Sequence, residues 1–199
     1  MKYFLIIALN FFLTLTVEAE THILFLGDSL SEGQGVDEAQ SFPRLVERNL
    51  RAKKFSVKVI NGGVSGATTA SGESRLKWHL KAPINVVVLE LGANDGLRGL
   101  EIAETEKNLR KIIKIAKDHK TKVFLLGLLM PPNYGKKYTS DFEMMYKHIS
   151  TVEKIPLMPF FLKDIAGRPE YNQADGVHPN ALGHEVIAAS VTKFLEKNL

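Results

Sequence analysis

Cysteine is absent from the 199-residue chain. That excludes a disulfide framework, a thiolate zinc site, a thiol nucleophile and lipid attachment through sulfur. An excess of charge is missing too. The 26 Lys and Arg against 22 Asp and Glu leave a net charge of +4, spread along the chain without the dense basic block that nucleic-acid binders carry. No nucleic-acid partner is expected. The sequence has no internal repeat, no linker and no low-complexity tract. It lacks a P-loop Lys-Ser/Thr and a G-x-G-x-x-G opening a long helix, so the Gly-rich stretch 61–66 does not indicate a nucleotide site. G-x-S-x-G and H-E-x-x-H are likewise missing. The composition is that of an ordinary globular protein, with 45% hydrophobic and 24% charged residues. This is enough apolar side chain for one buried core, and it rules out a fibrous or disordered chain.

The N-terminus reads as a targeting segment. Lys2 precedes an apolar stretch from Tyr3 to Val17, interrupted by Asn10, Thr14 and Thr16, and Val17-Glu18-Ala19 follows. A positive start, an apolar middle and a small residue at the end describe a secretory signal peptide over residues 1–19, cleaved after Ala19. The stretch is shorter than the roughly 20 residues that span a bilayer comfortably. An uncleaved anchor is the alternative. The expectation is an exported protein, periplasmic or secreted, with a single domain over residues 20–199.

Five apolar runs punctuate that domain: His22–Leu26, Val57–Ile60, Ile84–Leu91, Val123–Leu129 and Ile155–Met158. The third and fourth are continuous and rich in Val, Ile and Leu, as strands covered on both faces are. Helical spacing lies between the runs. Phe42–Leu50 follows Ser41 as N-cap, with Pro43 in the first turn. Ile102–His119 sets Leu109, Ile112, Ile113 and Ala116 against a Lys-rich face, with Glu106 and Arg110 at i,i+4. Tyr138–Glu153, Ala181–Leu195 and the short Gly72–His79 complete the set. Strands alternating with helices predict an α/β fold of three layers around a five-stranded parallel sheet, with the flavodoxin-like order 2-1-3-4-5 as the simplest arrangement.

Ligands of such sheets bind beyond the carboxyl ends of the strands. The segments there are Gly27-Asp28-Ser29-Leu30-Ser31, Asn61 to Ala67, and Gly92-Ala93-Asn94-Asp95-Gly96. Asp175-Gly176-Val177-His178-Pro179 precedes the last helix. These parts suit acyl transfer. Ser29 needs a base to become a nucleophile, and His178 is the candidate. Asp175, three residues earlier, would fix the imidazole tautomer. Pro179 would start the final helix at N1 and leave His178 outside it. The N–H groups of Ser29 and Gly66 and the amide of Asn94 are candidate oxyanion donors. Asp28 and Asp95 read as loop residues bonded to nearby backbone. His22, His79, His119 and His148 read as structural or solvated. A metal site from Asp175, His178 and His184 has no supporting ligand spacing, and no cofactor is expected.

Gly27-Asp28-Ser29-Leu30, Gly66, Gly92-Ala93-Asn94-Asp95 and Asp175-Gly176-Val177-His178 together resemble, in that order, the conserved blocks of the GDSL, or SGNH, hydrolases. The stretches 27–33 and 91–99 are most similar to the TesA-like branch of arylesterases, lysophospholipases and acyl-CoA thioesterases, commonly exported to the periplasm. The resemblance implies a triad of Ser29, Asp175 and His178 and oxyanion donors at Ser29, Gly66 and Asn94. Ala67 departs from relatives with a polar residue there.

The implied reaction is hydrolysis of short- to medium-chain acyl or aryl esters, thioesters or lysophospholipids. A carbohydrate O-acetylesterase and a non-catalytic exported binding module on the same fold are the alternatives, with a metal-dependent phosphoesterase behind them. Leu97, Leu100, Met130, Pro131, Pro132 and Tyr134, on the loops after the third and fourth strands, are candidates to line an acyl-chain cleft, or else they pack the loops themselves. The Lys-rich face of 102–119 reads as solvated surface, with transient contact to membrane lipid as its alternative.

Overall fold

In a computed structural model, the description covers residues 19–199. The expected signal peptide therefore lies almost wholly outside the described residues.

Five parallel strands form one sheet: β1 (Thr21–Gly27), β2 (Val57–Asn61), β3 (Val86–Glu90), β4 (Lys122–Leu126) and β5 (Leu157–Met158). Their order is β2-β1-β3-β4-β5, the predicted one. Among the described residues seven α-helices follow in chain order: α1 (Ser29–Glu32), α2 (Phe42–Ala52), α3 (Gly72–His79), α4 (Ala93–Leu97), α5 (Ile102–Asp118), α6 (Lys136–Glu153) and α7 (Ala181–Asn198).

Right-handed crossovers decide the layers. The chain moves one way from β1 to β2, then back past β1 to β3 and onward, so the helices of the two directions cover opposite faces. α2 packs with α7 on one face, while α3, α5 and α6 pack side by side on the other. Phe25 of β1 meets Phe42 of α2 edge-on, with ring centroids 5.5 Å apart, and Phe124 of β4 meets Phe194 of α7 at 6.0 Å. Both faces are covered, which is why every residue of β3 is buried. The reversal lies between β1 and β3, and their carboxyl ends hold Ser29 and Asn94 respectively.

Several boundaries differ from the sequence reading. In place of Val123–Leu129 the strand runs only from Lys122 to Leu126, although Gly127 N–H still donates to Met158 O at 2.8 Å. Residues 29–31 and 93–96, expected as loop, belong to the short helices α1 and α4. Pro179 does not start α7. Asn180 is the N-cap, its Oδ1 accepting from Gly183 N–H at 3.0 Å. Arg110 lies 3.9 Å from Glu106 but 3.1 Å from Glu153 of α6, so its better partner joins two helices. Ser41 precedes α2, yet its hydroxyl donates to the Glu38 carbonyl instead of capping the helix.

His184 of α7 takes over that end of α2. It is fully buried, stacks on Phe42 and accepts Phe42 N–H at its Nδ1, 3.2 Å away. Burial, and secondarily the charge of His178, pushes its pKa down to about 4. The folded protein thus keeps His184 neutral in a range where the unfolded chain protonates it. Its contribution to stability is complete above pH 6.5 and is lost as pH falls toward 4. Unfolding of wild type and His184→Gln in urea should show the wild-type advantage shrinking by on the order of 3 kcal/mol between pH 7 and pH 4. A difference that does not change with pH would show that burial does not hold His184 neutral.

Candidate active site

Ser29 is the first residue of α1, immediately after β1. Asp28 caps that turn, its Oδ1 accepting from Leu30 N–H at 3.0 Å. The cap fixes the Ser29 hydroxyl at the carboxyl edge of the sheet, where it is only 8% exposed. Ser29 N–H has no hydrogen-bond partner among the described residues.

The Asp175–His178 segment comes from far along the chain. Nε2 of His178 lies 3.0 Å from Ser29 Oγ, and Nδ1 lies 2.7 Å from Asp175 Oδ2. The other Asp175 oxygen accepts the N–H groups of Val177 (2.9 Å) and His178 (3.0 Å). The backbone bond from His178, its side-chain bond and the Val177 bond lower the Asp175 pKa to about 2. Asp175 is therefore an acceptor at any ordinary pH, and its bond requires the His178 proton on Nδ1. Nε2 is then free to accept from Ser29. Hydroxyl, imidazole and carboxylate form one chain along which a proton can move from Ser29.

Gln173 joins the two halves. Its Nε2 donates to Gln34 O at 2.7 Å and to Pro179 O at 2.9 Å, tying the segment after α1 to the His178 loop. The side chain crosses directly over Gly35, where a Cβ would come within 2.2 Å of Gln173 Oε1. Sequence reading did not single out Gln173, because nothing in the pattern reveals a side chain that bridges distant loops.

Asn94, on α4, donates from Nδ2 to Ala67 O at 3.1 Å and to Asp28 Oδ2 at 3.4 Å. This brings the second-strand loop beside Ser29. Gly66 has φ +74° and an N–H without a partner among the described residues. Asp95, expected to bond nearby backbone, instead accepts N–H (2.9 Å) and hydroxyl (2.5 Å) of Thr69, a long-range tie between loops.

A buried polar cluster lies beneath the site. Glu90 ends β3 in full burial and accepts the Ser31 hydroxyl at 2.6 Å and Asp28 N–H at 3.3 Å. Burial first, then the neighbouring Asp28, drives its pKa well up. Arg75 donates to the carbonyls of Gly27 (2.7 Å) and Gly62. Burial raises the Asp28 pKa to about 6, against the lowering effect of the Leu30 bond, His178 and Arg75. The available signal for Glu90 was a lone carboxylate ending an apolar strand, read only as part of the run 84–91.

A cavity of about 600 Å³ opens beside Ser29, Asn94 and His178. Leu97, Met130, Pro131 and Pro132 line it, joined by Phe160 and Ile165 from the segment after β5. Leu100 and Tyr134 do not. They line a separate cavity, where Tyr134 Oη donates to Leu97 O at 2.9 Å and Tyr138 Oη to Leu100 O at 3.0 Å. His184 lies instead at the start of α2, where its Nδ1 accepts Phe42 N–H. Among the described residues no group of three or more His, Asp or Glu side chains is arranged to hold a metal ion.

The sequence model of the GDSL-like lipase/acylhydrolase family matches residues 25–186. The chain is similar to an arylesterase of Vibrio mimicus, 38% identical over 97% of each chain. It is also similar to thioesterase 1/protease 1/lysophospholipase L1 of Escherichia coli K12, at 35% over 92% of this chain and 88% of the other. A crystal structure of TesA superposes with a TM-score of 0.87 at 36% identity, over 90% of this chain and 100% of that one.

Between pH 3.8 and 6 the folded chain keeps a proton on Asp28 that the unfolded chain has lost, so this residue's contribution to stability declines as pH rises through that window. Asp28→Asn retains an oxygen to cap α1 and removes the titration. Its stability relative to wild type, measured by urea unfolding, should therefore increase from pH 4 to pH 7. A constant or falling difference would mean that Asp28 ionises in the fold as freely as in the open chain.

Proposed function

The chain belongs to the GDSL-like lipase/acylhydrolase family and is a serine ester hydrolase, and on that premise we propose that Ser29, His178 and Asp175 cleave acyl esters through an acyl-enzyme. The observation that carries this reading is the 3.0 Å approach of His178 Nε2 to Ser29 Oγ, with Asp175 fixed behind the ring at 2.7 Å.

Ser29 Oγ attacks the ester carbonyl carbon while its proton passes to His178 Nε2. The imidazolium is stabilised by the Asp175 carboxylate. The carbonyl oxygen becomes an oxyanion and is met by the free N–H groups of Ser29 and Gly66 and by Asn94 Nδ2. Asn94 is available because its bond to Asp28 is long, at 3.4 Å, and yields easily to a charged acceptor. Collapse breaks the bond to the leaving alcohol or thiol, which takes the proton from His178. Water then enters, gives a proton to His178 and attacks the acyl carbon. Collapse of this second intermediate breaks the acyl bond to Ser29 Oγ, which takes back the proton from His178 as the acid leaves.

The cavity speaks for the acyl group. Its walls at Leu97, Met130, Pro131, Phe160 and Ile165 are apolar, and its volume is typical of a small-ligand site. Each buried methylene of a substrate chain gains about 0.8 kcal/mol in such surroundings. A carbohydrate O-acetyl ester would instead leave sugar hydroxyls against apolar walls without partners. We therefore assign short- to medium-chain acyl or aryl esters as substrates. Export before action is part of the same proposal, supported by Lys2, the apolar stretch 3–17 and Ala19. No helix among the described residues is long and apolar enough to cross a membrane.

Ser29→Ala and His178→Ala should each lower kcat on p-nitrophenyl butyrate by at least about 10³-fold with the fold intact. Wild-type turnover by either variant would overturn the assignment. Across a chain-length series, kcat/KM should rise from acetyl to hexanoyl esters, and activity confined to acetyl esters would sink the acyl-chain reading. N-terminal sequencing of the exported protein should begin at Glu20; a start at Met1 would refute cleavage.

A further inference from the structure

Residues Val64 to Ala67 form a tight turn closed by a bond from Ala67 N–H to Val64 O at 3.1 Å. Its third residue, Gly66, has φ +74°, the value a type II turn requires there. In such a turn the central peptide, between Ser65 and Gly66, carries the Gly66 N–H. A small rotation of the turn re-aims that N–H, and reversal of the central peptide turns it to the opposite side.

Both flanking peptides are tied to other elements. On one side, Ser65 N–H donates to Glu32 Oε2 at 2.7 Å, and the Ser65 hydroxyl bonds the same carboxylate oxygen and Gln34 Oε1 (3.0 Å). Glu32 is the last residue of α1, the helix that begins with Ser29. On the other side, the Gly66 carbonyl accepts from Arg98 Nη2 at 3.1 Å. Arg98 caps the C-terminal end of α4, the helix that carries Asn94. Asn94 Nδ2 holds the next carbonyl, that of Ala67, at 3.1 Å. The peptide between these ties has its N–H without a partner among the described residues. A side chain at Gly66 would find open space, its Cβ meeting only Arg98 Nη2 at 3.7 Å. Crowding therefore does not keep the turn in place, and its hydrogen bonds must do so.

We infer that Glu32 and Arg98 are positioning residues that clamp the 64–67 turn between the helix of Ser29 and the helix of Asn94, holding the Gly66 N–H at the oxyanion. The inference rests on the proposed oxyanion role of Gly66. A donor of this kind is useful only if it is already in place when charge develops, since reorientation during the reaction would forfeit its benefit. The clamp links the turn to both neighbours, so nucleophile and oxyanion donors keep one geometry. Neither side chain contributes a group to the Ser29–His178–Asp175 chain. Their loss should act on the transition state and leave ground-state binding of the ester unchanged.

The test compares Arg98→Ala, Arg98→Lys, Glu32→Leu and Glu32→Gln with wild type and with Asn94→Ala. The readouts are kcat and KM on p-nitrophenyl butyrate, the rate of Ser29 labelling by an alkyl phosphonate, and melting temperature. Arg98→Ala and Glu32→Leu should each reduce kcat about 5- to 30-fold, part of the roughly 10²–10³-fold effect of deleting a donor outright. KM should stay within about twofold, and phosphonate labelling should slow in proportion to kcat. Arg98→Lys and Glu32→Gln, which keep a donor and an acceptor, should recover most of the rate. Unchanged kcat in Arg98→Ala and Glu32→Leu, with Asn94→Ala strongly impaired, would overturn the clamp and leave the oxyanion reading standing. Unchanged kcat in all three would overturn both. A rise in KM alone, or a rate loss that follows melting temperature and is not recovered by the conservative variants, would reduce both residues to binding or stability roles and overturn the clamp.

Discussion

A parallel sheet presents the carboxyl ends of all its strands on one edge, and this chain reverses direction between its two central strands. The reversal sends α2 and α3 to opposite faces and leaves a crevice where neither covers the edge. Ser29, the 64–67 turn and Asn94 follow three adjacent strands into that crevice. The fourth component, Asp175-Gly176-Val177-His178, enters from the segment before α7 and is fastened by the Gln173 bridge to Gln34. Remote parts of the sequence can thus converge without long ordering loops, because the strands have already fixed where their ends lie.

The site rests on a polar cluster that is poorly suited to the interior of an apolar sheet. Glu90, Asp28 and Arg75 lie under the Ser29 turn, and burial pushes both carboxyls upward. Buried ionisable groups are destabilising unless paired or neutralised. Here they bond backbone and hydroxyl groups at the exits from β1 and β2: Asp28 N–H, Ser31 Oγ and the carbonyls of Gly27 and Gly62. The packing is close, since a Cβ on Gly27 would overlap Ser31 Oγ and Glu90 Oε2. The cluster fixes the turn at a cost that the surrounding apolar core offsets.

The cavity and the 64–67 turn share α4 and differ in their other supports. The turn is held by hydrogen bonds to Glu32 of α1 and to Arg98 at the end of α4, whereas the cavity walls come from α4, the 128–132 segment and residues 160–167. Segments 128–132 and 160–167 make no hydrogen bond to the turn, so changes there reshape the cavity without loosening the turn.

Local patterns determined much of this protein. Apolar runs and helical spacing are short-range signals, so they marked the strands and the helices, and the alternation of the two made 2-1-3-4-5 the simplest order. Ser29 and Asn94 stood out as polar residues beyond strand ends, where parallel sheets bind ligands, and Asp175 and His178 as a pair before the last helix. Tertiary structure decided what depends on contacts between distant segments. It turned His184 into the partner of Phe42 N–H, gave Asp95 to Thr69, placed Leu100 and Tyr134 at a separate cavity, and set Glu32 and Arg98 on either side of the Gly66 turn. A sequence pattern records which face a residue prefers. Which atom it meets across the fold is fixed only when the layers have packed.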